Sequence, residues 1–276
     1  MNNLPIGIFD SGVGGLTVCS AIQNILPHEN ILYLGDSARV PYGNKSPKTI
    51  IRYSQEITEC LMEQGIKMLI IACNTATTWA LTPLQKIVQD HNIPIFGVIY
   101  PGASYAVELS QGQPIGVIGT LGTIQGQQYQ SEIQALQPQI QVFTQPCPLF
   151  VSLIEENWLN GDIVEQIIDH YLKEITQQCK HIILGCTHYP LLLPTLTKMY
   201  PEHQFIDSAR ATAKLIARYF RERPHLQNTS YSLGESRFWV TDNLERFRNV
   251  GQTFLQKELK EVQRVELPHQ LKYKYE

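Results

Sequence analysis

The sequence predicts an α/β fold of two pseudo-symmetric domains, each a mostly parallel sheet flanked by helices. Three observations carry this. Short β-branched runs alternate with longer amphipathic stretches, the order of strand, helix, strand. The strand runs are apolar without alternation, as in parallel sheets covered on both faces. The strand-and-turn pattern also occurs twice. Residues 5–11 (PIGIFDS) return at 114–120 (PIGVIGT), and residues 70–75 (IIACNT) return at 183–188 (ILGCTH). The two repeats lie 109 and 113 positions apart, and a cysteine holds the same place in both copies of the second.

Taken in chain order, the expected strands cover 5–9, 31–34, 69–72, 95–99, 115–118, 141–144, 181–184 and 204–206. A helix opens at Ser46-Pro47, an N-cap followed by a proline at the first helical position. It places Ile50, Ile51, Ile57 and Leu61 near one face. Another follows Gly161-Asp162, with Ile163, Val164, Ile167, Ile168 and Tyr171 at helical spacing. After residue 206 come a helix-like stretch at 208–221, a segment at 231–241 and a helix at 244–255. This tail has no evident counterpart between 99 and 114, so it is expected to pack back onto the N-terminal half. The expected domains are therefore 1–98 together with 208–276, and 99–207.

Composition sets the broad class. Of 276 residues, 43% are hydrophobic and 17% charged, enough apolar material for two cores and unlike a disordered chain. The net charge of -3 excludes a strongly basic nucleic-acid binder by composition. No apolar run approaches the roughly 20 residues of a bilayer span. The start, Met1-Asn2-Asn3-Leu4-Pro5, lacks a charged segment and apolar stretch of the secretory kind, so the cytoplasm is expected. Six cysteines stand at 19, 60, 73, 147, 179 and 186 with no C-x-x-C pair. Reduced thiols fit that pattern better than a disulfide scaffold.

Chemistry in such sheets belongs just after the strands, at their carboxyl ends. After the first strand comes Asp10-Ser11-Gly12-Val13-Gly14-Gly15. It fits neither G-x-G-x-x-G, since Thr17 holds the last glycine's place, nor the Walker pattern. A tight strand-to-helix turn and an anion-binding turn beside Asp10 both remain open. After the third and seventh strands come Cys73-Asn74-Thr75 and Cys186-Thr187-His188. Each cysteine is expected near a helix N-terminus, which lowers a thiol pKa from about 8.5.

Two matched cysteines admit several chemistries. A disulfide couple needs Cα atoms within about 7 Å. A zinc site has only Cys186 and His188 as a close ligand pair. A Cys–His hydrolase leaves the symmetry unused. Two-base proton transfer uses both: inverting a stereocentre without a cofactor takes a proton from one face and returns one to the other. No metal is expected.

Four segments carry a family resemblance: Asp10–Gly15 (DSGVGG), 35–43 (GDSARVPYG), 73–77 (CNTAT) and 184–192 (LGCTHYPLL). Together, and in this order over about residues 5–255, they resemble the bacterial glutamate racemase family, within the cofactor-independent aspartate/glutamate racemases. The resemblance implies an active site in the cleft between the domains and Cys73 and Cys186 as the two acid/base thiols. Cys73 would act on the D-enantiomer and Cys186 on the L-enantiomer. Asp10 would assist near Cys73, and His188 and Glu155 near Cys186. Ser11, Pro41, Tyr42, Gly43, Asn74, Thr75, Thr120, Thr123 and Thr187, with Asp10 and His188, match substrate-binding positions. The resemblance further implies L- and D-glutamate as substrates, no cofactor, a homodimer, and supply of D-glutamate for peptidoglycan. Neither membrane nor nucleic acid is an expected partner. Three positions depart from the family pattern: Ser37 for the usual Thr, Ser152 for Pro, and Tyr100 for Glu. Aspartate racemisation, amino-acid binding without catalysis and cysteine-dependent hydrolysis are the competing readings.

Several residues are read as structural. Cys19, Cys60, Cys147 and Cys179 are core or inert surface thiols. Asp36 and Arg39 organise their loop. Arg218, Arg221 and Arg223 are a solvated helix end. His170 and His181 belong to surfaces or strand starts, and Trp79, Trp158 and Trp239 are packing residues.

Overall fold

The computed structural model describes residues 2–259 and 261–268; residue 1 and residues 269–276, the outer ends of the first expected domain, lie outside the described residues. The first half runs β1 (Ile6–Asp10), α1 (Leu16–Ile25), β2 (Ile31–Gly35), α2 (Pro47–Glu63), β3 (Met68–Ile71), α3 (Asn74–Gln89), β4 (Ile95–Gly97) and α4 (Ile99–Ser110). The second runs β5 (Ile115–Gly119), α5 (Leu121–Gln125), α6 (Gln128–Leu136), β6 (Val142–Pro146), α7 (Leu149–Glu155), α8 (Asp162–Leu172), α9 (Ile175–Gln178), β7 (His181–Gly185), α10 (Leu193–Met199), β8 (Gln204–Asp207) and α11 (Ser208–Glu222). The tail adds β9 (Ser236–Val240), α12 (Leu244–Leu255) and β10 (Val262–Arg264). Local chemistry accounts for the α2 start: the Ser46 side chain accepts from the Thr49 N–H, and Pro47 opens the helix.

Two parallel sheets result, with strand orders β10-β9-β2-β1-β3-β4 and β6-β5-β7-β8. The block β2-β1-β3-β4 repeats as β6-β5-β7-β8, so the repeat read in the sequence is a repeat of topology. Ile8 pairs with Tyr33 and Ile70, and Val117 pairs with Thr144 and Ile183. Because every pairing is parallel, the turns after β1 and β3 share one sheet edge, as do those after β5 and β7. Those four turns hold the site.

The structure corrects one expectation. The helix at 208–221 does have a counterpart: α4 follows β4 as α11 follows β8. Each crosses to the other half. α11 packs on α1, α4 packs on α6 and β7, and the two helices pack on each other. The reason is a buried stripe on α11, Ala209, Ala213, Ile216 and Phe220, at helical spacing. Truncating Phe220 to alanine costs about 3–5 kcal/mol on the usual scale for a buried aromatic. The rest of the tail joins the first sheet, where β9 pairs with β2 and β10 with β9. One apolar core runs between the halves, joining Leu16 and Ile22 of α1 to Ile182 and Leu184 of β7 and to Ile216 and Phe220 of α11. Among the described residues no helix is long and apolar enough to cross a membrane.

Candidate active site

The turns after β1, β3, β5 and β7 converge on one small cavity of about 30 Å³. Cys73 and Cys186 both line it, with Ser11, Pro41, Tyr42, Gly43, Asn74, Thr75, Thr120, Glu155, Thr187 and His188. A volume of that size holds a water or two. An amino acid needs the lining segments to part. Larger hollows of about 550 Å³ beside Arg52 and Tyr53, and about 640 Å³ along α1 and Lys214, hold neither cysteine.

On the first-half side, Cys73 is the N-cap of α3, and its sulfur accepts from the Ala76 N–H at 3.4 Å. Ser11 Oγ lies 3.7 Å from the same sulfur. The helix start does lower this thiol, through the Ala76 N–H, but other forces outweigh it. Burial, joined by the nearby Asp10 charge, pushes it up to about 12 against the Ala76 and Ser11 contacts. Cys73 is therefore a thiol at neutral pH. Asp10 does not line the cavity. It is fully buried behind it, where Oδ2 accepts from the Gly12 N–H at 2.8 Å and Oδ1 faces the Thr187 hydroxyl at 3.5 Å. Burial raises its carboxyl, opposed by His188 and by the Gly12 and Gly15 N–H groups. The glycine-rich turn thus spends donors on its own aspartate, which favours the tight-turn reading over an anion site. Gly14 is required there by space: a Cβ would lie 2.3 Å from Thr187 Oγ1 and 2.4 Å from His188 Nδ1.

The second-half side is built differently. No α-helix starts at Cys186; a 3-10 turn begins only at Tyr189. The sequence expectation of a helix N-terminus fails here because Cys186-Thr187-His188 form a tight turn before Pro190. A relay takes its place. His188 Nδ1 lies 3.8 Å from the Cys186 sulfur, and His188 Nε2 lies 3.0 Å from Glu155 Oε1. Arg246 of α12 reaches Glu155 Oε2 at 3.4 Å and Glu156 Oε1 at 3.1 Å. Burial alone would lower the His188 pKa, but its Cys186 and Glu155 partners push it up to about 10. His188 is then an imidazolium with one N–H toward the sulfur and one toward the carboxylate. Burial would raise Glu155, yet His188 and Arg246 hold it below the usual carboxylate range.

Hydroxyls tie the halves together around the cavity. Thr75 Oγ1 lies 2.8 Å from Thr120 Oγ1 and 3.1 Å from Thr123 Oγ1. Thr123 stands behind this pair rather than on the cavity wall. The Tyr42 hydroxyl donates to Asp36, which also accepts from Arg39 Nε at 2.7 Å and Thr241 Oγ1 at 2.9 Å. Asp36 and Arg39 do organise the 36–43 loop, presenting Pro41 and Gly43 to the cavity. Ser152 lies inside α7, and Glu155 at its end still meets His188. Tyr100 is exposed on α4, away from the cavity wall.

Sequence reasoning did not single out Gly12, Val40 and Val151 on the cavity wall, although Gly12 and Val40 lie inside quoted segments and Val151 stands one helical turn before Glu155. It missed Arg246, which carries no local motif and is far from Glu155 in the chain. The other four cysteines are buried, as read. Trp79 donates to the Gly122 carbonyl and Trp239 is buried, but Trp158 is half-exposed rather than packed. Among the described residues, no three His, Cys, Asp or Glu side chains gather as metal ligands.

Residues 7–216 match the Asp/Glu/hydantoin racemase family model. A glutamate racemase of Geobacter metallireducens is 43% identical over 264 residues, covering 95% of this chain and 96% of that protein. The crystal structure of glutamate racemase from Francisella tularensis in complex with D-glutamate superposes with a TM-score of 0.90 at 39% identity, covering 96% of this chain and 98% of that one. Glutamate racemase from Thermus thermophilus, in complex with β-chloro-D-alanine, gives 0.85 at 37% identity, covering 96% and 98%.

Proposed function

The chain belongs to the Asp/Glu/hydantoin racemase family and is an amino-acid racemase, and from that premise we propose that it interconverts L- and D-glutamate by two-base proton transfer between Cys73 and Cys186. The observation that carries the proposal is the shared cavity: the two sulfurs come from matching turns of two matching half-sheets and line one space. Glutamate is favoured over aspartate by the names of the relatives and by the D-glutamate bound in the Francisella structure.

In the proposed step, a thiolate on one side takes the proton from Cα, and the C–H electron pair stays on carbon. The thiol on the other side gives its proton to the opposite face of that carbon. One S–H bond forms, one breaks, and the sulfurs exchange roles; side chains supply both acid and base, without a cofactor. The His188 cation gives Cys186 a counter-charge, while buried Cys73 keeps its proton. Asp10 assists near Cys73, and Glu155 acts on Cys186 through His188. The Ser11, Thr75, Thr120 and Thr187 hydroxyls, the Asn74 amide and the backbone at 41–43 hold the two carboxylates and the amino group, with Thr123 supporting the threonine pair. Preorganised donors in a small, water-poor cavity lower the cost of charge forming at Cα.

The two-domain division at 98/99 and 207/208 belongs to this proposal, supported by the crossing of α4 and α11 at those points. So do a homodimer, a cytoplasmic setting and the use of D-glutamate for peptidoglycan, supported by the family's membership. Circular dichroism of L-glutamate and L-aspartate solutions incubated with the protein tests the substrate. Decay of the glutamate signal with aspartate far slower is expected; the reverse order overturns the assignment.

A further inference from the structure

One buried group at the site has an unmade bond. Asn74, 2% exposed, is the first residue of α3 and lines the cavity directly after Cys73. Its Oδ1 accepts from the Tyr129 hydroxyl at 2.7 Å. Among the described residues its Nδ2 has no hydrogen-bond partner. A buried donor left unmade costs about 1–3 kcal/mol, so such a group calls for an acceptor that arrives later.

The orientation of that amide has a structural cause. Tyr129, on α6 of the other half, is itself 1% exposed. A phenol has a single proton to give. Here that proton goes to Asn74. The partner atom on Asn74 must then be the carbonyl oxygen, and the NH₂ is turned to the other side. Gly102 of α4 leaves room for this pair: a Cβ there would lie 3.3 Å from the Tyr129 hydroxyl.

We propose that Tyr129 is a positioning residue for substrate binding: its hydrogen bond to Asn74 Oδ1 locks the Asn74 amide so that Nδ2 is held ready for a carboxylate of the substrate. Because Asn74 adjoins Cys73, the carboxylate in reach is the one bonded to the reacting carbon. Both enantiomers carry it, so both depend on the lock. The inference rests on the racemase reading of the cavity and adds to it a residue outside the cavity wall.

The test is a double-mutant cycle of Tyr129→Phe and Asn74→Ala in the full-length enzyme, with KM and kcat measured for L- and D-glutamate. Tyr129→Phe keeps the buried ring and is expected to raise KM about tenfold for both enantiomers, equivalent to roughly 1.4 kcal/mol, and to lower kcat less. In the Asn74→Ala background the same change is expected to have no further effect on KM. An unchanged KM in Tyr129→Phe, or a KM effect that persists in the Asn74→Ala background, overturns the inference. Should Tyr129→Phe not fold, Asn74→Asp serves: it keeps an acceptor for the Tyr129 hydroxyl but removes the Nδ2 donor, and is expected to raise KM about tenfold for both enantiomers, whereas a wild-type KM counts against the inference. Wild-type enzyme that fails to racemise glutamate defeats the substrate reading instead, and is seen before any variant is made.

Discussion

The Cys186 sulfur has His188 Nδ1 at 3.8 Å, whereas the matching position beside Cys73 is Thr75, whose hydroxyl is engaged with Thr120 and Thr123. The two halves repeat a topology but not an electrostatic environment. One sulfur faces a cation backed by Glu155 and Arg246; the other faces a buried carboxylate, Asp10, and a helix start.

Replacing either sulfur removes one of the two proton carriers. Cys73→Ser and Cys186→Ser are each expected to lower kcat by at least about 10²–10⁴-fold in both directions, the usual worth of a positioned acid or base. Circular dichroism of each enantiomer measures this. A variant that keeps near-normal turnover in either direction contradicts the pairing.

His188 gives a pH signature. Its folded-state pKa, about 10, lies above the unfolded value near 6.5. Stability from the imidazolium is then complete below the unfolded value and is lost as pH rises through the folded one. Between about pH 6.5 and 10 the wild type should lose more thermal stability than His188→Asn. Parallel Tm-versus-pH curves for the two proteins count against the charged imidazole.

Arg246 acts from a half-exposed position, so its contribution is modest and screened. Arg246→Ala is expected to cost about twofold to fivefold in rate at low salt. Raising ionic strength should narrow the gap between wild type and variant. A rate gap that does not respond to salt points to a packing effect of α12 instead.

Gly14 is a steric prediction. A methyl there meets Thr187 Oγ1 and His188 Nδ1 well inside contact distance. Gly14→Ala is expected to destabilise by about 1–3 kcal/mol, typical of overpacking, and to cut activity by displacing His188. Thermal unfolding and turnover are measured together; wild-type values for both are the contrary result.

Much of this site is legible in the sequence because α/β sheets put chemistry at strand ends. The turns at Asp10, Cys73, Thr120 and Cys186 follow strands that apolar runs announce. Boundaries are less legible where a run continues across them. The strand expected at 95–99 ends at Gly97, and Ile99 already begins α4, because the apolar residues continue without a break. Strand β10 is three residues of mixed polarity, held by pairing with β9 rather than by its own pattern. The Cys73 thiol departs from the sequence expectation for a physical reason. A helix N-terminus is a local feature visible in sequence, but burial belongs to the assembled fold, and here burial wins. Arg246 and Tyr129 are absent from any motif because their partners lie in the other half of the molecule.

The most direct test follows the isotope in a single direction. L-glutamate is converted in D₂O, and the product and the remaining substrate are examined at low conversion by NMR or mass spectrometry. Two sulfurs on opposite faces predict D-glutamate carrying deuterium at Cα while the unconverted L-glutamate stays protiated. D-glutamate that retains the substrate's own α-proton would mean that one base serves both faces, and the paired-cysteine account fails.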